Sequence, residues 1–224
     1  MVVPVFQYTR HMPRTRTFDE HEVTRRARDA FHDHGYAATS VEQLTAATGL
    51  QRSSLYGAFG DKHGLFLRAF AQYCDEEMAT VEAELAGDDA GAYDRLAHHL
   101  RAKTADPAAS RRGCLLAKAS AELAGEDPEV ARIAAAAYAT YERALTRGVA
   151  AAQAAGRIRD DLEPAAAGAL LLATLRGIEA LGRVGRSKRS LRKIADSALK
   201  SLAPTGGGGG SGHQRSNPLP CETR

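Results

Sequence analysis

Two groups of residues in this chain have the types and spacing to do chemistry. Gln51, Arg52, Ser53 and Ser54 set an amide, a guanidinium and two hydroxyls in consecutive positions, with Tyr56 and Lys62 close behind. Such donors bind phosphate oxygens and base edges, and Arg can grip guanine in two-pronged fashion. The second group surrounds Cys114, which stands in RGCLLAKASAEL with Arg111, Arg112 and Lys118 nearby. Adjacent cations, or a helix N-terminus, favour the thiolate through which a cysteine reacts.

The elements that must position these residues are helices. Aromatic content is 6% with no Trp, and long Ala- and Leu-rich stretches are broken by few Pro, which excludes an all-β fold. Asp19 caps a first helix with Val23, Ala27, Ala30 and Phe31 on one face, stopped by Gly35. Ser40 caps a second with Val41 and Leu44, and Thr48-Gly49 interrupts it. A short third segment turns Leu50, Leu55 and Phe59 inward and ends at Gly60. Asp61 opens a long fourth helix running toward Leu85 and Gly87. Segments at about 92–104 and 113–124 follow. Asp127-Pro128 heads a long helix to Gly156, Glu163-Pro164 an apolar one to Gly182, and Ser187 or Ser190 a last one. The count is about nine helices and no convincing strand.

Residues 1–17, with Arg10, Arg14 and Arg16, read as a flexible basic arm, and 204–224, with Gly206 to Gly210, as a Gly-rich disordered tail. The net charge of +3 among 224 residues does not argue against nucleic acid, because local placement of basic side chains decides that. Around Pro164 to Leu181, Arg176 and Glu179 interrupt the apolar run, which falls short of the roughly 20 apolar residues of a bilayer span. The N-terminal apolar run is too brief for a signal peptide. No membrane partner and a cytoplasmic location are expected. Cys74, Cys114 and Cys221 are too few and too scattered for a disulfide framework or zinc site. His32 and His34 lack the spacing that puts two imidazoles on one metal, and His98-His99 point to different faces. Neither a metal nor any other cofactor is expected.

TSVEQLTAATGLQRSSLYGAFGDKHGLF, from Thr39 to Phe66, has the parts of a helix-turn-helix: a short helix, a tight turn at Gly49, and a second short helix rich in small polar residues. The run from the first helix through LFLRAF resembles the N-terminal domain of TetR/AcrR-family transcriptional regulators. The likeness rests on Gly35-Tyr36, Thr39-Ser40, Gly49, Leu55-Tyr56 and Phe59-Gly60-Asp61-Lys62 taken together, and the helix order extends it over about residues 18–203. It implies an all-α fold: an N-terminal three-helix helix-turn-helix DNA-binding domain at 18–64, and a C-terminal helical ligand-binding and dimerisation domain at 65–203.

By position, the resemblance implies that Thr39 or Ser40 binds phosphate, that Gln51 to Ser54 face bases or phosphates, and that Tyr56 and Lys62 clamp the backbone. Gly57-Ala58 departs from the family, which commonly has a larger residue there, so specificity rests more on Arg52. Arg14 and Arg16 of the arm are further candidates for the minor groove. The last two helices, with Ala165 to Ala169, Leu170 to Leu172, Leu175 and Ile178, are expected to pair in a homodimer that reads a palindromic operator as double-stranded DNA.

Helices four to seven are expected to enclose a pocket for a small-molecule effector, with Phe70, Tyr73, Met78, Leu96, Leu100, Leu115, Tyr138, Tyr141 and Leu175 as candidate lining. An apolar or aromatic residue at helical spacing is also ordinary core. The segment around Cys114 is similar to that carrying the sensor thiol in the NemR-like branch, repressors that respond to electrophiles and oxidants; its competing role is a small buried hydrophobe. Cys74 is expected to be buried and inert. The function expected is therefore a ligand-responsive DNA-binding regulator, a repressor released by a small-molecule or thiol-reactive inducer, and not an enzyme. A helical protein-protein adaptor or a Cys-dependent enzyme are the alternatives, the latter lacking an assignable base beside Cys114.

Overall fold

The computed structural model describes residues 18–104 and 112–204, and these contain nine α-helices and no strand. They are α1 (Glu20–His34), α2 (Val41–Thr48), α3 (Arg52–Phe59), α4 (Lys62–Leu85), α5 (Ala92–Ala102), α6 (Leu115–Leu123), α7 (Pro128–Ala154), α8 (Pro164–Arg183) and α9 (Lys188–Ser201). Arg10, Arg14 and Arg16, Arg111, Cys221 and the Gly-rich tail lie outside the described residues.

Helix starts follow local chemistry. The Asp19 carboxylate accepts from the backbone N–H groups of His21 and Glu22, and Asp61 accepts from Gly64 at 2.7 Å. Ser40 and Gln43 form a reciprocal capping box at α2. Asp127 and Glu163 each cap a helix whose first residue is Pro, and Ser187 caps α9. Between α2 and α3, Gly49 adopts φ 73°, the left-handed geometry that closes the helix-turn-helix bend.

α1, α2 and α3 form a head seated on the start of α4. Phe31, Tyr36, Phe66 and Phe70 interlock there, with ring centroids 4.9 to 6.2 Å apart. α4 continues out of the head and packs along α7, which packs along α8; α9 closes on α8 and α5. The boundary expected at 64/65 thus falls inside one continuous helix. α7 runs from the head, where His63 meets Asp127 at 2.6 Å, to the far end. α8 returns toward the head and α9 runs outward again, its end held where Arg159 N–H donates to Leu202 O at 3.0 Å.

α8 is long and apolar enough to cross a membrane by length and composition only, with the interrupting Arg176 and Glu179 counted in. In this fold one face is packed on α7 and α9 and carries a largely buried Arg176–Glu179 ion pair. Leu171, Leu172, Leu175 and Ile178, expected at a dimer contact, are buried within the chain itself. The face left open carries Ala166, Leu170, Ala173, Gly177, Ala180 and Val184.

Candidate nucleic-acid interface and thiol site

α3 is eight residues long, and two of them, Leu55 and Phe59, are buried against the head. Its opposite face follows from that anchoring: Gln51, Arg52, Ser53 and Ser54 are all exposed at its N-terminal end. Gln51 is the N-cap residue but makes no side-chain cap bond, so its amide is uncommitted. Arg52 lies over the Tyr56 ring, 5.2 Å from its centroid, which orders the guanidinium beside the phenol. Lys62 stacks over Tyr36 at 4.4 Å and donates to Ala37 O at 3.4 Å.

Thr39 and Ser40 separate. Thr39 is fully buried, and its hydroxyl donates to Gly35 O at 2.6 Å. It braces the α1–α2 turn, and the expectation that its hydroxyl meets phosphate is corrected on that ground. Ser40 is exposed, at the N-terminus of α2, where backbone N–H groups face outward.

The second site lies where α4, α6, α7 and α8 meet. Cys114 is the N-cap residue of α6, one position outside the helix in which sequence placed it, and is 7% exposed. Its neighbours differ from those expected. Arg112 is spent on Asp33 and Asp29 of α1, at 2.8 and 3.1 Å, and Lys118 donates to His32 O. The cation at the sulfur is Arg176 of α8, whose Nη1 donates to Cys114 Sγ at 3.2 Å, while the Tyr73 hydroxyl donates from 3.6 Å. Arg176 also binds Glu179 at 3.1 Å and lies over the rings of Tyr141 and Tyr138. Sequence showed Arg176 only as an interruption of an apolar run; a buried cation 62 residues away announces no partner.

Behind this cluster, His99 joins the Tyr141 hydroxyl and the Glu84 carboxylate, each at 2.6 Å, and Lys103 pairs with Glu77 at 3.1 Å. Burial pushes the Tyr73 and Tyr141 phenols above their ordinary range and holds His99 below its own. Burial likewise pushes the Cys74 thiol up to about 12, as suits an inert residue. Phe70, Leu96, Leu100, Leu115 and Leu175 are buried in the common core, with Met78 at its edge. Tyr73, Tyr138 and Tyr141 are the members of the expected lining that meet the polar cluster. Tyr73 also lines a cleft of about 320 Å³ bounded by Arg28, His32, Glu76 and Arg112. Among the described residues no group of three His, Cys, Asp or Glu could hold a metal ion.

The thiol site is tied to the head. His32 bonds Gly113 O at 2.8 Å, beside Cys114, and Glu122 at the other end of α6 accepts from Tyr36 N–H and Ala37 N–H at 3.1 and 2.7 Å.

Residues 23–69 match the family of bacterial regulatory proteins of the tetR type, and residues 92–198 match the tetracyclin repressor-like C-terminal domain. The HTH-type transcriptional repressor ComR of Escherichia coli is 28% identical over 192 residues, covering 84% of this chain and 90% of ComR. A cysteine-substituted form of the TetR family transcriptional regulator CifR, solved in complex with 26-bp double-strand operator DNA, superposes with a TM-score of 0.70 at 25% identity. The superposition covers 85% of this chain and 100% of that one. Reduced Escherichia coli NemR shares the fold, with a TM-score of 0.71 at 15% identity over 83% of this chain and 97% of NemR. These relatives are regulators, not enzymes. With both halves matched in order and the helix-turn-helix formed, the chain belongs to the TetR family of transcriptional regulators.

Proposed function

We propose that this chain is a transcriptional repressor that binds a palindromic operator as a homodimer and is released by a small-molecule or thiol-reactive inducer acting at Cys114. The observation that carries DNA binding is α3: a short helix anchored by Leu55 and Phe59 that turns Gln51, Arg52, Ser53 and Ser54 outward with Tyr56 and Lys62 at its flank. The related repressor ComR and the operator complex of CifR support the same reading. Residues 18–64 then read DNA in the cytoplasm, and 65–203 dimerise and respond.

Dimerisation is supported by the open face of α8. Ala166, Leu170, Ala173, Gly177 and Ala180 recur every three or four residues, and Leu170 is 50% exposed. Small residues in such a stripe let two helices approach closely, and a C2 contact is self-complementary. Induction is supported by the position of Cys114 between Arg176 and the joint to the head. Addition of its sulfur to an alkene conjugated with a carbonyl forms an S–C bond, moves the π electrons onto the carbonyl oxygen, and takes a proton from water at carbon. The adduct displaces Arg176 and Tyr73 from the sulfur, and the change reaches α1 through Gly113 and His32. Release follows if that state binds operator less well.

Enrichment of sheared genomic DNA on the purified protein, followed by gel shift of the enriched fragments, tests both parts. Binding by the native chain and its loss in Arg52→Ala support the reader; N-ethylmaleimide releasing the native chain but not Cys114→Ser supports the sensor. Absence of any enriched fragment overturns the repressor, and equal release of both proteins overturns the thiol.

A further inference from the structure

The α8–α9 turn carries a concentration of charge that neither the helix-turn-helix nor the thiol site uses. Six of the eleven residues at 183–193 are Arg or Lys, and none is acidic: Arg183, Arg186, Lys188, Arg189, Arg192 and Lys193. All six are exposed. Most arginines elsewhere in the described residues are paired with a carboxylate. Among the described residues, thirteen arginines make ion pairs and five do not. Of those five, Arg52 is on α3, Arg143 is on α7, and Arg183, Arg186 and Arg189 are in this turn. Arg192 is the turn's one paired cation, with Asp196 at 3.6 Å.

The turn also stands at the DNA-reading end of the body. At Cys114, Tyr73 of α4 and Arg176 of α8 meet on one sulfur, which sets the two helices at a common level. From that level Lys62 is eleven residues along α4, about 16 Å, and Arg183 is seven residues along α8, about 10 Å. The two run the same way. Arg183 lies against Gly113, where an added Cβ would come within 2.8 Å of its Cδ. Its charge also acts on Lys118, which bonds His32 at the end of α1. One turn further along α6, Glu122 holds Ala37, the residue that Lys62 also reaches.

We infer that the α8–α9 turn is a second DNA-contacting surface, which binds the phosphate backbone outside the bases read by α3. Five cations with no ion-pair partner among the described residues, at the same end of the body as the head that carries α3, form an electrostatic footprint for a polyanion. They carry no sequence information and add affinity by counterion release. This inference rests on the DNA-binding function proposed above.

The test neutralises Arg186→Gln, Lys188→Gln, Arg189→Gln and Lys193→Gln together, keeping Arg183 because it packs on Gly113. Binding to a labelled 40-bp duplex carrying the enriched sequence, and to a shuffled duplex, is followed by anisotropy across a salt series. Thermal melts of both proteins verify the fold. The expected result is a shallower slope of log K against log salt, by about 0.9 per lost phosphate contact, with the preference for the enriched over the shuffled duplex unchanged. Slopes equal to the native protein's overturn the inference and leave the repressor standing. A native protein that binds neither duplex overturns both. Binding of phosphatidylserine vesicles that the four substitutions abolish, with DNA slopes unaltered, assigns the turn to a lipid surface and overturns the inference.

Discussion

Arg176 reaches from α8 across the protein interior to place its guanidinium 3.2 Å from the sulfur of Cys114. Its Nε, like Glu179 Oε2, is buried with no hydrogen-bond partner among the described residues, so the cation is held by Cys114, Glu179 and the tyrosine faces alone. Its guanidinium is the charged donor in contact with the one sulfur that an electrophile would meet at this site. Arg176→Met is expected to slow alkylation of Cys114 by iodoacetamide by about tenfold. Mass spectrometry of the time course reads the rate, and an unchanged rate removes Arg176 from the thiol's chemistry.

The open stripe of α8 predicts its own disruption. Nothing lies within 4 Å of a Cβ added at Gly177, so Gly177→Arg is expected to fold normally while blocking helix-to-helix contact between copies. Light scattering is expected to give a monomer near 24 kDa, half the native species. Operator affinity is expected to fall by about 100-fold or more, because each head then binds without the other's effective concentration. A variant that stays dimeric places the contact elsewhere.

At the DNA face, Arg52 and Lys62 have separable effects. Arg52→Ala is expected to cost about 1–3 kcal/mol on the enriched operator and to relax its sequence preference. Lys62→Ala weakens binding to every duplex alike and lowers the salt slope by about 1. Thr39→Ala, which removes a buried bond to Gly35, lowers the melting temperature and leaves the salt slope alone. Anisotropy titrations on matched and shuffled duplexes distinguish the three patterns.

Much of this was legible in the chain. Caps at Asp19, Ser40, Asp61, Asp127, Glu163 and Ser187 act through neighbours two or three residues away, so they read directly from sequence. The exposed run Gln51 to Ser54 was legible for the same reason. Thr39 was not, since its hydroxyl is committed through the fold of the α1–α2 turn. Nor was Cys114's partner: Arg112 and Lys118 are near in sequence but are drawn to α1, whereas Arg176 arrives only when α8 returns along α7. Leu171 and Leu175 looked available for dimerisation because apolar content alone does not tell which side of α8 faces α7.

Acidification supplies a separate check. In the neutral ring that satisfies both partners, His99 Nδ1–H donates to Glu84 and Nε2 accepts from the Tyr141 hydroxyl. Burial sets the folded His99 pKa below 6.5, against the opposing pull of Glu84, and His32 is lowered by burial in the same direction. The unfolded chain therefore takes up protons first as pH falls below about 6.5. Stability is full above that pH and declines as pH drops toward the folded values. Urea denaturation between pH 8 and 5 is expected to show this fall, with a shallower one in His99→Gln. Parallel curves for the two proteins contradict the assignment.

Glu122 offers a test of the joint. Glu122→Ala strips the Tyr36 and Ala37 N–H groups of their acceptor, at an expected cost of about 1 kcal/mol because both lie near solvent. Hydrogen exchange is expected to quicken at Tyr36 and Ala37 while the α7–α8 core keeps its protection. Unchanged exchange at these two amides shows that the head does not depend on this bond.

α4 has a mechanical consequence as well. Its 24 residues begin at Lys62 in the head and end at Leu85 in the body without a break, which makes a rod about 36 Å long. A rotation of about 5° about one end sweeps the other through about 3 Å, close to the roughly 3.4 Å rise of one base step. An angular error too small to disturb side-chain packing along the rod is therefore enough to put a reading head out of step with the base pairs beneath it.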